Sequence, residues 1–217
     1  SGATANSRPI AAAVNNESCV SIIHSTFQPR AARSSRHQRS VSTAWANSPA
    51  SAVFPPSNTR SQRTPSASAY RSKRNGSWTD TTWKDVYLHS QQVAAGLIQA
   101  GVQLGDRVAI LSTTREEWAL AAFGIALAGA VLVPVYPSTP DHGCASLLTH
   151  SDSMVVFVEN EKQLAKLLSQ NESLKNVKKM ILFEEAALES QKNNEQITSL
   201  SLLKKTGHAM LAQTPDL

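Results

Sequence analysis

The sequence predicts an α/β fold: a layered, mostly parallel sheet with helices on both faces. Three observations carry that prediction. Short β-branched or aliphatic runs alternate with Ala- and Leu-rich stretches from Trp78 to Lys205, the pattern of a parallel sheet with crossover helices. Glycine, proline or a hydroxyl residue marks many of the junctions between them. Gly101 to Pro140 reads as strand, helix, strand, and two strands joined by a crossover helix must lie parallel and right-handed.

The elements follow in order. Ser68–Arg71 and Trp78–Thr81 are two strands around Asn75-Gly76, a hairpin-turn dipeptide. Thr82–Ala100 is a helix, because Trp83, Val86, Tyr87, Val93, Ala94, Leu97 and Ile98 share one stripe at helical spacing. Gly101 ends it. Arg107–Leu111 is a short apolar strand opened by Gly105 and Asp106. Thr113, with Glu116 three residues on, reads as a capping box. Glu116–Ala128 is then rich in helix formers, and Gly129 stops it. Val131, Val133 and Val135 make a strand closed by Pro137. Thr139 reads as the cap of a helix with Pro140 at its first position, running to about His150. Met154–Val158 is a strand, Glu161–Ser169 a helix, Lys179–Phe183 a strand and Ile197–Lys205 a last helix. Trp83 and Trp118 are expected as core anchors. Arg107 is expected to pair with Asp85 or Glu117. No internal repeat is found.

Trp118–Pro137 carries no charge and approaches the length of a membrane span. Gly124, Gly129 and Pro134 interrupt it, and its second half has strand character. A helix and strand buried together in an α/β core give the same hydropathy, and that reading is preferred.

Charge divides the 217 residues unevenly. Residues 1–76 hold nine Arg, one Lys and a single acid, Glu17, whereas residues 77–217 hold 11 basic and 15 acidic side chains. Residues 1–60, rich in Ser, Ala, Arg and Pro without a sustained apolar period, read as a disordered arm. Such an acid-poor, Arg- and Ser-rich leader resembles an organelle transit peptide. A disordered arm touching acidic partners, or non-native sequence, are the competing readings. A transit peptide implies a plastid or mitochondrion; otherwise the location is cytoplasmic or peripheral to a membrane. No apolar segment follows a basic start as in a secretory signal. No basic stripe interleaved with aromatics marks a nucleic-acid face, so no nucleic acid is expected as partner.

Cys19 and Cys144 sit in different regions and form no disulfide framework. Cys144 is expected to pack as a small apolar residue. His142 beside it lacks metal-ligand spacing and is expected to be solvated, so no metal site is assigned. Three Asn-x-Ser triplets, at Asn16, Asn75 and Asn171, carry no weight without secretion.

A nucleotide site would need a glycine-rich turn at a strand's carboxyl end. Here Ser112-Thr113-Thr114-Arg115 leads into Glu116 and Glu117, two carboxylates where a phosphate should sit. The turn after Val135 leads into Asp141. Neither GxGxxG nor a Walker pattern occurs, so a dinucleotide-binding domain is rejected.

Five blocks, in order, carry a resemblance: Thr81-Thr82-Trp83-Lys84-Asp85-Val86, Val93-Ala94-Ala95-Gly96-Leu97, Gly105-Asp106-Arg107-Val108-Ala109-Ile110-Leu111, Glu117-Trp118, and the run from Leu127 to Pro137. Together they resemble the opening of the adenylate-forming (AMP-binding) superfamily, and most closely its long-chain fatty acid–CoA ligases. The resemblance implies the first subdomain of the acyl-CoA synthetase N-terminal domain over 61–217. It implies an acid–thiol ligase that joins a fatty acid to CoA through an acyl-adenylate, with release of AMP and diphosphate. ATP, CoA and magnesium would serve the full-length enzyme. By the same resemblance the Ser/Thr/Gly-rich phosphate loop would come after Thr214-Pro215-Asp216-Leu217, so this stretch would be truncated before it and inactive alone. No catalytic residue is assigned. Tyr136 and Ser138 would lie near the pantetheine path and Lys162 near the CoA phosphates, although Tyr136 in the core and Lys162 as a solvated helix residue are the competing readings. The partners implied are a fatty acid, the remaining C-terminal part of the enzyme and, as in some members, a second copy as homodimer. A second function class stays open, a truncated non-catalytic paralogue acting as a binding or dimerisation module. With later chain needed to cover it, one sheet face is expected to leave apolar surface exposed.

Overall fold

The computed structural model describes residues 60–74, 76–191 and 194–213. The predicted arm lies, apart from Arg60, outside the described residues.

Two sheets are present among these residues. The first is an antiparallel hairpin of β1 (Ser68–Arg74) and β2 (Ser77–Thr82). The second is a five-stranded parallel sheet of β3 (Arg107–Leu111), β4 (Val131–Val135), β5 (Ser153–Val158), β6 (Lys179–Leu182) and β7 (Ile197–Ser199). Its order is β4-β3-β5-β6-β7, with every neighbouring pair parallel. The chain steps from β3 to one side, then returns across β3 to continue on the other. That reversal places a topological switch point between β3 and β5.

Five α-helices among the described residues accompany the strands: α1 (Trp83–Gln99), α2 (Glu116–Leu127), α3 (Asp141–His150), α4 (Glu161–Leu168) and α5 (Leu200–Gln213). Strand side chains alternate between two faces. Val108, Ile110, Val155, Phe157 and Ile181 pack under α1, α2 and α5, with Phe183 just past β6 tilted against Phe157 at 5.8 Å. Ala109, Leu111, Val156, Val158, Met180 and Leu182 pack under α3 and α4. Both faces of β3, β5 and β6 are therefore covered within the described residues, while the edge strand β4 keeps Val131 and Pro134 exposed, so the expected apolar exposure is confined to that edge. The reason is α5, whose Leu200 and Leu203 complete the first layer. The central strand β5 is buried along its whole length, as a strand covered twice must be.

Local chemistry explains most boundaries. Thr82 caps α1: its hydroxyl accepts from the Asp85 amide at 3.2 Å, while Asp85 accepts from the Thr82 amide at 3.3 Å and hydroxyl at 2.6 Å. This is a capping box. The one expected at Thr113 and Glu116 does not form. Arg115 occupies the cap of α2 without a side-chain bond, and both predicted partners are engaged by distant residues. Gly129, at φ 70°, takes the left-handed turn after α2. Pro140, not Thr139, is the cap residue of α3, which begins at Asp141. Residues 118–137, weighed as a membrane span, divide into most of α2 and the edge strand β4; no helix among the described residues is long and apolar enough to cross a membrane. Pro134 is tolerated in β4 because that strand is the sheet edge. The last predicted helix starts three residues too early, since Ile197–Ser199 pairs with β6 as β7. Arg107 binds neither Asp85 nor Glu117. Its guanidinium pairs with the Asp152 carboxylate and donates to the Ser151 carbonyl at 2.7 Å, tying β3 to the turn before β5.

A feature invisible in the hydrophobic pattern joins α1 to α5. A methyl group built on Gly207 would lie 1.9 Å from the Gln92 carbonyl oxygen, and one on Gly96 would lie 2.5 Å from the Leu203 carbonyl oxygen. The two helices cross backbone to backbone, a distance that only glycine permits.

Candidate functional site at the carboxyl edge of the sheet

Parallel strands deliver all their following turns to one edge, where doubly wound folds place their ligands. Backbone hydrogen bonds stitch these turns together: the Glu159 amide donates to Leu111 at 3.0 Å, Phe183 to Val158 at 2.9 Å and Glu184 to Glu159 at 3.1 Å.

At the switch point, Arg115 follows β3, Glu159 follows β5 and Glu184 follows β6. Arg115 donates from Nε to Glu117 at 2.7 Å and from Nη1 to Glu184 at 2.8 Å, and Nη1 stands 3.7 Å from Glu159. Burial acts to lower the Arg115 pKa, but the hydrogen bonds and charges of Glu117 and Glu184 more than offset it, so the guanidinium is held protonated more firmly than usual. Glu159 accepts from the Thr113 amide at 2.7 Å and the Thr113 hydroxyl at 2.9 Å. Glu116 accepts from the hydroxyls of Ser72 at 3.1 Å and Thr81 at 3.2 Å, docking the hairpin onto the start of α2.

One cation thus serves three carboxylates, and the amide and hydroxyl of the β3 turn are turned onto Glu159. A triphosphate needs free amide donors and cations. This crevice sets three carboxylates around one cation and spends the Thr113 donors on Glu159, an arrangement unlike a triphosphate site. No group of three or more His, Cys, Asp or Glu among the described residues is arranged to hold a metal ion.

The second part of the edge is the turn after β4. Lys166 of α4 donates to the carbonyls of Pro137 at 2.6 Å and Thr139 at 3.0 Å. Its ammonium ties the carbonyls of that turn to α4. Cys144 lies beneath, fully buried, its thiol facing the Thr139 carbonyl at 3.5 Å. Burial raises the Cys144 pKa, with Lys166 acting weakly the other way, so the thiol stays protonated and packs as expected. His142 is exposed, also as expected.

Tyr136 and Ser138 sit on this clamped turn, and Lys162 lies one helical turn before Lys166. All three are exposed. Tyr136, 76% exposed, is not the core residue that aromatic character suggests. The reason is alternation: Val135 points inward at the end of β4, so the next side chain points out. Arg115, Glu159, Glu184 and Lys166 escaped the reading of the sequence. Position was the available signal for the first three, since each lies within a few residues of a strand's last apolar residue.

A doubly wound sheet with its polar turns gathered at one edge defines an α/β domain. The chain belongs to the AMP-binding enzyme family, whose model matches residues 58–213. It is 40% identical over 92 residues to the long-chain-fatty-acid–CoA ligase FadD15 of Mycobacterium bovis, covering 42% of this chain and 15% of that protein. It is 30% identical over 126 residues to the long-chain-fatty-acid–CoA ligase ACSBG2 of Rattus norvegicus, covering 58% and 19%. The aligned part is thus less than a fifth of either relative. Among solved structures, coronafacic acid ligase from Pectobacterium brasiliense superposes with TM-score 0.61 at 18% identity, over 69% of this chain and 28% of that one. The anthranilate CoA ligase AuaEII gives TM-score 0.57 at 19% identity, over 69% and 27%. At such identity these two establish shared fold.

Proposed function

We propose that residues 61–217 form the N-terminal portion of a long-chain fatty acid–CoA ligase, the enzyme that converts a fatty acid, ATP and CoA to acyl-CoA, AMP and diphosphate through an acyl-adenylate. The observation that carries this reading is the family match across 58–213, joined to the two ligases of that description aligned above. In this reading ATP and magnesium are held by other parts of the enzyme, because the switch-point crevice is unlike a triphosphate site. The exposed Tyr136–Ser138 turn and Lys162 stand at the edge along which the pantetheine arm and phosphates of CoA would run. The Lys166 clamp would fix that turn. Residues 1–60 act as an organelle-targeting arm.

Two measurements test the proposal. The 217-residue protein should give no fatty-acid-dependent ATP–pyrophosphate exchange; steady exchange would overturn the placement of ATP elsewhere. In the second, the 92 residues of this chain that align with the mycobacterial ligase replace their counterparts in it. Retained long-chain acyl-CoA formation by that chimera supports the assignment. A folded chimera that binds ATP yet forms no thioester counts against it, and favours a binding or dimerisation module.

A further inference from the structure

The β1–β2 hairpin stands apart from the parallel sheet, and its two faces differ. Cross-strand partners share a face, so Ser72 and Thr79 lie on one side and Arg71, Lys73, Trp78 and Asp80 on the other. The Ser72 hydroxyl reaches Glu116 at the start of α2, which turns its face toward the body of the protein. The opposite face therefore points into solvent. Arg71 and Asp80 neutralise each other there, in a two-pronged pair at 2.5 and 2.9 Å. Lys73 stands directly across from Trp78, which is 64% exposed. An exposed indole with a lysine as its cross-strand partner combines an apolar body with a cationic rim.

Basic residues are concentrated in the same segment of the chain. Residues 60–82 carry Arg60, Arg63, Arg71, Lys73 and Arg74 against one acid, Asp80, whereas residues 83–217 hold 11 basic and 14 acidic side chains. The hairpin and its approach are the cationic pole of an otherwise acidic domain. Tryptophan beside lysine and arginine is the composition that settles at a bilayer's headgroup level, with the ring among the headgroups and the cations on lipid phosphates.

We propose that the outward face of this hairpin docks the protein reversibly on an anionic lipid surface, with Trp78 entering the interface and Lys73 facing the headgroups. The body would then approach the membrane with its basic pole, and its acidic remainder would stay away from like charge. The interaction is peripheral; a two-stranded hairpin exposes too little apolar area for more.

The test uses the full 217-residue chain and vesicles of phosphatidylcholine, alone or mixed with phosphatidylserine. Cosedimentation should require phosphatidylserine and weaken with salt. Lys73→Glu should lower partitioning about 25-fold, taking about fivefold for each charge near the surface. Brominated acyl chains should quench part of the indole emission, and that part should vanish in Trp78→Phe. Both positions are exposed, so an unchanged thermal melt verifies folding. Binding undiminished in both variants would assign the contact to residues 1–59 and overturn the proposal. So would binding without bromine quenching. Loss of vesicle binding in favour of polyglutamate would assign the face to an acidic protein, and likewise overturns it.

Discussion

Replacing Gly207 by alanine probes the α1–α5 crossing, where helix propensity and packing make opposite forecasts. In a helix interior alanine is favoured over glycine by about 1 kcal/mol. Propensity alone therefore predicts a more stable protein. The added methyl, however, would lie 1.9 Å from the Gln92 oxygen, 2.7 Å from the Gly96 nitrogen and 2.9 Å from the Gln92 carbonyl carbon. These are backbone atoms of α1, bound in its hydrogen-bond ladder, and cannot rotate aside. To regain ordinary contact the helices must separate by roughly 1 Å or more. Overpacking of this kind costs about 1–3 kcal/mol, and a 1.9 Å approach to immovable backbone puts this site at the upper end, about 3 kcal/mol. Separation would also loosen Leu203 and Leu200 from the layer over Phe157 and Ile181. We expect a net loss of about 2 kcal/mol after the propensity gain, or a fall in Tm of about 4–8 °C for a domain of this size. Urea unfolding followed by circular dichroism measures it. His208→Ala is the control, because His208 is exposed on the same helix and should change stability by less than about 0.5 kcal/mol. A Gly207→Ala protein as stable as the parent would show that the helices do not cross at backbone distance.

Two further outcomes follow from the site and the cap. Arg115→Met leaves Glu117, Glu159 and Glu184 facing one another at the switch point; partial exposure tempers the cost to about 1–2 kcal/mol, and added salt should shrink the difference seen in chemical denaturation. Thr82→Ala removes the α1 cap and should cost about 1 kcal/mol near neutral pH. The Thr82 hydroxyl, more than any other contact, holds the Asp85 pKa below its ordinary value. A depressed carboxyl stabilises the fold above its unfolded pKa and loses that stabilisation as pH falls through the folded one. The Thr82→Ala penalty should therefore narrow on acidification, as read from urea midpoints across an acid series; a penalty independent of pH would exclude the Asp85 contribution.

The sequence by itself determined the α/β class, the βαβ unit and nearly every element between Ser68 and Leu182, because these rest on local period and on stop signals such as Gly129 and Pro137. It also showed two carboxylates, Glu116 and Glu117, following the turn after β3. It could not determine which partner each polar group takes. Thr113 and Glu116 have capping-box spacing, yet Glu159 lies 46 residues beyond Thr113 and Ser72 lies 44 before Glu116. Tertiary proximity supplied stronger acceptors and donors than the helix end. The same holds for Arg107 with Asp152 and for the Lys166 clamp on the 136–140 turn. Ile197–Ser199 became a strand only because β6 offered an open edge, and Gly96 and Gly207 acquired their meaning only when α5 returned across α1. Period and propensity are properties of neighbours along the chain. Pairing, register and close approach belong to neighbours in space, and only the folded chain decides those.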